Sequence, residues 1–243
     1  MDTNKKANEL LDIVLPIFCA YSEKHKVEEI YDFEIKPKIY NKNDLFSNEE
    51  QTALDESKDI FSKNILIKEI VSNKLKSNEN ILDYYNWIVK DWGGITRFNK
   101  SNTTIDEFFN QLNSGGIKSK YYNNISSFSK IASFTFPQKY FIYDSRVAYV
   151  LDWILIKSKQ ETLFFYVPKG RNSFLEKYNM DNIISLTDGE YLDRKYTYSV
   201  YNKLIEKIFL NVKIFDKIYY VEMFLWGLFK IIKPEIQKYV GKR

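Results

Sequence analysis

Along most of the 243-residue chain, apolar residues recur at steps of three and four, the spacing of one face of an α-helix. Residues 8–21 (NELLDIVLPIFCAY) read as an apolar helical segment interrupted at Pro16, because proline has no amide hydrogen and its ring clashes with the preceding turn. Residues 23–55 mix acidic side chains with YDFEIKPKIY, an extended piece followed by a loop. Residues 57–76 predict an amphipathic helix on Ile60, Ile65, Ile67, Ile70 and Val71, and residues 80–90 another that carries Trp87. Asp91-Trp92-Gly93-Gly94 breaks that pattern, since paired glycines permit positive φ. A further helix starts at Thr104, placed before Glu107 as in a capping box, and stops at Asn113-Ser114-Gly115-Gly116. Residues 163–167 are β-prone, 168–172 form a loop, and 173–195 are polar and irregular with a turn at Thr187-Asp188-Gly189. Two last helices cover 198–210 and 217–230, and Pro234 marks the end of the second. The expected fold is mainly α with a few short strands.

Residues 125–155 hold the most informative pattern: helix, short apolar link, helix. The first helix can bury Phe128, Ala132 and Thr135/Phe136, while Lys130 lies off that stripe with Ser126, Ser127 and Ser133. Pro137 closes it. An aromatic run, residues 140–143, leads to Asp144, which precedes Ser145, Arg146 and the apolar positions Val147, Val150, Leu151 and Ile154. Asp144 is therefore placed as a helix N-cap. An amine and a carboxylate thus flank one helix–loop–helix corner.

Composition narrows the chemistry. A hydrophobic fraction of 44% with 17% aromatics predicts a folded domain, and only 8 Gly and 5 Pro suit long helices better than a turn-rich sandwich. Cys19 and His25 are the only residues of their types, which excludes an internal disulfide, a four-cysteine cluster and histidine-rich metal sites. No carboxylate cluster has calcium-loop spacing, so no metal is expected. No leader-like segment and no run approaching the ~18 apolar residues of a membrane span is present, so the expected setting is cytoplasmic and away from membranes. Charge divides along the chain. Residues 1–80 hold twelve Lys/Arg against sixteen Asp/Glu, and residues 81–243 hold twenty-four against sixteen. We expect an acidic N-terminal helical segment (1–80) packing on a basic helical core (81–243), whose cationic surface suits a polyanion.

A lysine on a helix is ordinarily solvated, and an aspartate at a helix start is ordinarily just a cap. Together, Ser129-Lys130-Ile131-Ala132 and Ile142-Tyr143-Asp144-Ser145-Arg146-Val147-Ala148 resemble the helix-hairpin-helix DNA glycosylases, in particular their 8-oxoguanine DNA glycosylase branch. The resemblance is specific over about residues 126–155. Where that family has a glycine-containing hairpin before the lysine, this chain has Tyr121-Tyr122-Asn123-Asn124-Ile125-Ser126-Ser127. The resemblance implies a glycosylase-like helical core and a bifunctional DNA glycosylase/AP lyase acting, as a monomer, on double-stranded DNA with a damaged or modified base. It implies Lys130 as the Schiff-base nucleophile and Asp144 as the stabiliser of positive charge on the sugar, with no metal or organic cofactor. Contacts to DNA or to the extruded base are expected from Trp92, Ser126, Ser127, Arg146, Lys169, Arg171 and Asn172, with Tyr143 and Phe165 as further pocket candidates. Two other readings use the same residues: a nucleic-acid-binding helical protein without catalysis, and an interaction protein in which Lys130 stands in open solvent.

Overall fold

The computed structural model describes residues 1–41, 45–77, 80–160, 163–170 and 172–241. The fold is mainly helical. In chain order come α1 (Thr3–Ser22), α2 (Val27–Ile30), α3 (Asn48–Asp55), α4 (Ile60–Lys76) and α5 (Ile81–Asn86). A π-helical turn (Trp87–Trp92), α6 (Asn102–Asn113), α7 (Ser119–Tyr122), α8 (Ile125–Thr135) and α9 (Ser145–Ser158) follow. Strand β1 (Leu163–Phe164), α10 (Ser173–Lys177), α11 (Met180–Ile184), β2 (Glu190–Tyr191), α12 (Arg194–Asn211) and α13 (Tyr219–Val240) complete it. The two strands pair in parallel, Leu163 opposite Glu190 and Phe164 opposite Tyr191.

One hydrophobic cluster runs through the molecule and takes residues from both the acidic first third and the basic remainder. Helix α1 packs on α12 and α9, and α13 packs on α9 and α2. Gly227 makes the last contact possible, because a Cβ there would lie 2.8–2.9 Å from Ile30 atoms, including the backbone carbonyl.

Several boundaries differ from the sequence pattern, each for a physical reason. Pro16 lies inside α1 instead of interrupting it, and Pro234 inside α13 instead of ending it. Buried Val14 and Phe18 flank the first proline and buried Ile232 and Ile236 the second, so burial along one face outweighs one missing hydrogen bond. The extended piece after α2 joins no sheet among the described residues, and α3 replaces the expected loop. Its Ser47 and Glu50 form a reciprocal capping box. For α6 the cap is Ser101, whose Oγ accepts from Thr104 N, so Thr104 sits inside the first turn. The segment read as irregular at 173–195 contains α10 and α11, capped by Asn172 and Asn179, and the start of α12.

Helix α8 departs most usefully from expectation. Phe136 is 47% exposed, whereas every residue from Ser127 to Phe134 is buried. The helix contacts α4, α6, α7 and the π-helical turn, so it has no solvated face for Lys130.

The link from α8 to α9 is a buried strap whose peptide groups find no neighbouring strand. Side chains serve instead. Phe141 N–H donates to Asn202 Oδ1 (2.9 Å) and Phe141 C=O accepts from Tyr198 OH (3.0 Å). Ile142 N–H donates to Glu222 Oε2 (3.3 Å) and Ile142 C=O accepts from Tyr201 OH (2.7 Å). Ser129 Oγ accepts from Tyr143 N–H (3.0 Å) and donates to Tyr143 C=O (3.3 Å). Buried amides demand such partners. Replacing Ser129 with alanine (Ser129→Ala) strands a donor and an acceptor together, and we expect a loss of about 2 kcal/mol or more in urea unfolding.

Candidate active site

Three chain segments and two helix ends meet around an open cavity of about 850 Å³. Its walls are the turn 93–97 after the π-helical segment, residues 122–127 at the start of α8 with Lys130, the Asp144-Ser145 start of α9, the segment around Tyr166 and Lys169, and Arg194.

Lys130 projects from α8 into this cavity and is only 7% exposed. Its Nζ donates to Ser126 O at 3.1 Å, the carbonyl one turn earlier. Its stem lies against Gly93, where a Cβ would come within 2.8 Å of Lys130 Cδ and 2.9 Å of the Ile88 and Val89 carbonyl oxygens. The π-helical turn brings Gly93 there, closing with Gly93 N–H to Ile88 O at 2.9 Å. Burial pulls the Lys130 ammonium below the ordinary lysine range, with Arg146 acting the same way and Asp144 and Glu222 opposing it.

Asp144 caps α9 through one oxygen. Its Oδ1 accepts from Arg146 N (3.0 Å) and Val147 N (3.1 Å), and Oδ2 accepts no hydrogen bond from the described residues. The carboxylate is held by the helix N-terminus, and Asp144 lines the same cavity as Lys130. The two groups line one cavity and are not in ion-pair contact.

Of the expected site residues, Lys130, Asp144, Ser126, Ser127 and Lys169 come together around the cavity. The other described ones go elsewhere. Trp92 is a core residue, its ring 4.9 Å from Phe33 and 5.0 Å from Phe134. Arg146 turns away and stacks on α13, 4.4 Å from the Trp226 ring centroid; the planar cation gains more on an aromatic face than beside the positive helix start. Asn172 caps α10, its Oδ1 accepting from Phe174 N and Leu175 N. Tyr143 and Phe165 are fully buried beneath the cavity. There Tyr143 OH donates to Tyr166 O (2.8 Å), while Phe165 N–H donates to the buried Asp152 carboxylate (2.7 Å). Arg171 lies outside the described residues.

Sequence reasoning missed Arg97, Arg194, Tyr122 and Tyr166, which complete the rim. Arg194 lies 3.7 Å over the Tyr166 ring and gives the cavity a flat cationic–aromatic wall. Arg97 had a usable signal, three residues after a glycine pair; Arg194, at a helix start with Asp193 before it, looked like ordinary surface. Beneath the site, Glu222 of α13 and Lys68 of α4 form a buried ion pair at 3.7 Å. Among the described residues no group of three or more His, Cys, Asp or Glu could hold a metal ion. No described helix is long and apolar enough to cross a membrane.

Comparison of the chain with protein-family models, curated proteins and solved structures finds no match.

Gly93→Ala forces a methyl group into the Lys130 stem and two carbonyl oxygens. A destabilisation of about 1–3 kcal/mol in urea unfolding is expected, with Lys130 displaced from the cavity.

Proposed function

We propose that this chain is a bifunctional DNA glycosylase/AP lyase built like the helix-hairpin-helix glycosylases, with α7, Asn123-Asn124 and α8 in the place of the hairpin. It acts, as a monomer in the cytoplasm, on double-stranded DNA carrying a damaged or modified base. The observation that carries the reading is the desolvated Lys130 amine in one cavity with an N-cap aspartate that has a free oxygen.

The chemistry follows from those two groups. As the glycosidic bond lengthens, its electron pair leaves with the base, which takes up a proton, and positive charge grows on the sugar ring. The Asp144 carboxylate stabilises that charge. The lone pair of neutral Lys130 Nζ forms a bond to C1′, and opening of the sugar ring gives a protonated Schiff base. Loss of a C2′ proton then expels the 3′ phosphate oxygen with its bonding pair, breaking the strand. Burial supports the neutral amine, because the low-dielectric wall disfavours the ammonium form.

The rim fits the substrate. Arg97, Lys169 and Arg194 offer cations to phosphates, and the Arg194–Tyr166 wall offers a flat surface to an extruded base. The volume is within the roughly 300–1,000 Å³ of ordinary ligand pockets. The same rim favours the second reading, a nucleic-acid binder without catalysis, in which Lys130 has no chemical role. A lysine that is 7% exposed does not fit the third reading, which needs it in open solvent.

Borohydride trapping separates the two that remain. With DNA carrying an abasic site or a panel of modified bases, a covalent adduct is expected to form and to vanish in Lys130→Gln. Asp144→Asn is expected to slow base release by about 10²-fold or more, with less effect on trapping at a preformed abasic site. Adduct formation should rise with pH through the lowered Lys130 value and then level, since only the deprotonated amine attacks. Salt-sensitive DNA binding with no adduct on any substrate would leave the binder.

A further inference from the structure

The proposed chemistry uses Lys130 and Asp144 and leaves a buried ion pair of the same region, Lys68 with Glu222, without a role. Glu222, in the first turn of α13, is 2% exposed. Its Oε2 accepts from Ile142 N–H at 3.3 Å, two residues before Asp144, and faces Lys68 Nζ at 3.7 Å. That ammonium also sits 4.6 Å from the Tyr219 ring centroid and 5.8 Å from that of Phe134, so the pair is walled in by aromatics.

Charged and titratable groups reach this pocket from every side. Lys68 comes from α4, Lys130 from α8, Asp144 and Arg146 from the start of α9, Tyr31 from the end of α2, Tyr201 from α12 and Tyr219 from α13 itself. Two buried lysines thus share one buried glutamate, and only Lys68 is paired with it among the described residues. The same strap connects the two sites, since Glu222 accepts from Ile142 N–H while Ser129, next to Lys130 on α8, accepts from Tyr143 N–H, and the Glu222 carboxylate favours the Lys130 ammonium.

We propose that Glu222 is a positioning residue that sets the charge state of the Lys130 amine from beneath the cavity. Its consequence for catalysis rests on the lyase reading, while its electrostatics rest on the buried charges alone. The sign follows from the charges: an anionic Glu222 favours the ammonium form of Lys130 and withholds the nucleophile, and a neutral Glu222 releases it. Burial pushes the Glu222 carboxyl up to about 7, against Lys68 and the Ile142 N–H, which favour the anion. Glu222 therefore changes charge near neutrality. As pH falls through that value the stabilisation of the Lys130 ammonium is withdrawn. The Ile142 bond joins this effect to the strap that delivers Asp144, so one carboxylate serves both reacting groups.

The test reads the Lys130 amine directly. Protein labelled with 13C at lysine Cε is titrated by NMR, with the Lys130 resonance assigned by its loss in Lys130→Gln. In Glu222→Gln the Lys130 midpoint should move down by about one pH unit. Lys68→Met/Glu222→Gln removes both charges and leaves no unpaired buried ammonium. Its midpoint should also lie below that of the unaltered protein, because Lys68 acts on Lys130 mainly through Glu222. The acid limb of borohydride trapping on abasic DNA should shift in the same direction by the same amount. Unchanged midpoints in both variants, with only a loss of urea stability, would overturn the proposal and reduce Glu222 to a strap anchor. Shifted midpoints with no adduct at any pH would support the coupling and reject the lyase reading.

Discussion

A buried strap with no sheet to join is the constraint on which the rest depends. Residues 141–143 run buried through the core outside any helix or strand, and each peptide group must find a partner or carry a desolvation penalty. Ser129, Tyr198, Tyr201, Asn202 and Glu222 supply those partners from α8, α12 and α13. Side chains from three helices thereby fix where the strap ends. It ends on Asp144, so the position of that carboxylate is set by hydrogen bonds in the core and not by the flexibility of a surface loop.

The second consequence concerns Lys130. A lysine amine in water is a cation and a poor nucleophile, and only loss of solvent or a nearby positive charge changes that. Helix α8 is buried nearly all round, and the stem of Lys130 lies against Gly93. The π-helical turn that delivers Gly93 is an irregularity of a kind that recurs at functional sites. Fold and chemistry share one cause: the same burial that packs α8 weakens the charge on its lysine.

The acidic first third of the chain takes part in this arrangement. Phe33 packs on Trp92, Lys68 reaches Glu222, and Ile30 lies against Gly227. The division of charge along the sequence therefore does not mark a division in the core. Two cations buried near the cavity, Lys68 and Lys130, are balanced by Glu222 and Asp144, which makes its electrostatics a property of four helices together.

Local signals in the sequence determined a good deal. The apolar spacing of α4, the glycine stop after α6, the N-cap role of Asp144 and the placing of Lys130 and Asp144 on either side of one corner all depend on neighbours within a few turns. Such relations are written in adjacent residues. What local spacing could not decide was the destination of side chains whose partners are distant in sequence. Trp92 and Arg146 look available for a ligand until Phe134 and Trp226 cover them. Pro16 and Pro234 look like breaks until flanking residues on each helix are buried. Lys68 and Glu222 sit on ordinary helical stretches 154 positions apart, and nothing local pairs them. Their meeting, the exclusion of water around Lys130 and the cationic wall of Arg97 and Arg194 arise only when the helices close on one another. Burial and electrostatic coupling act through space, and the tertiary structure alone sets those distances.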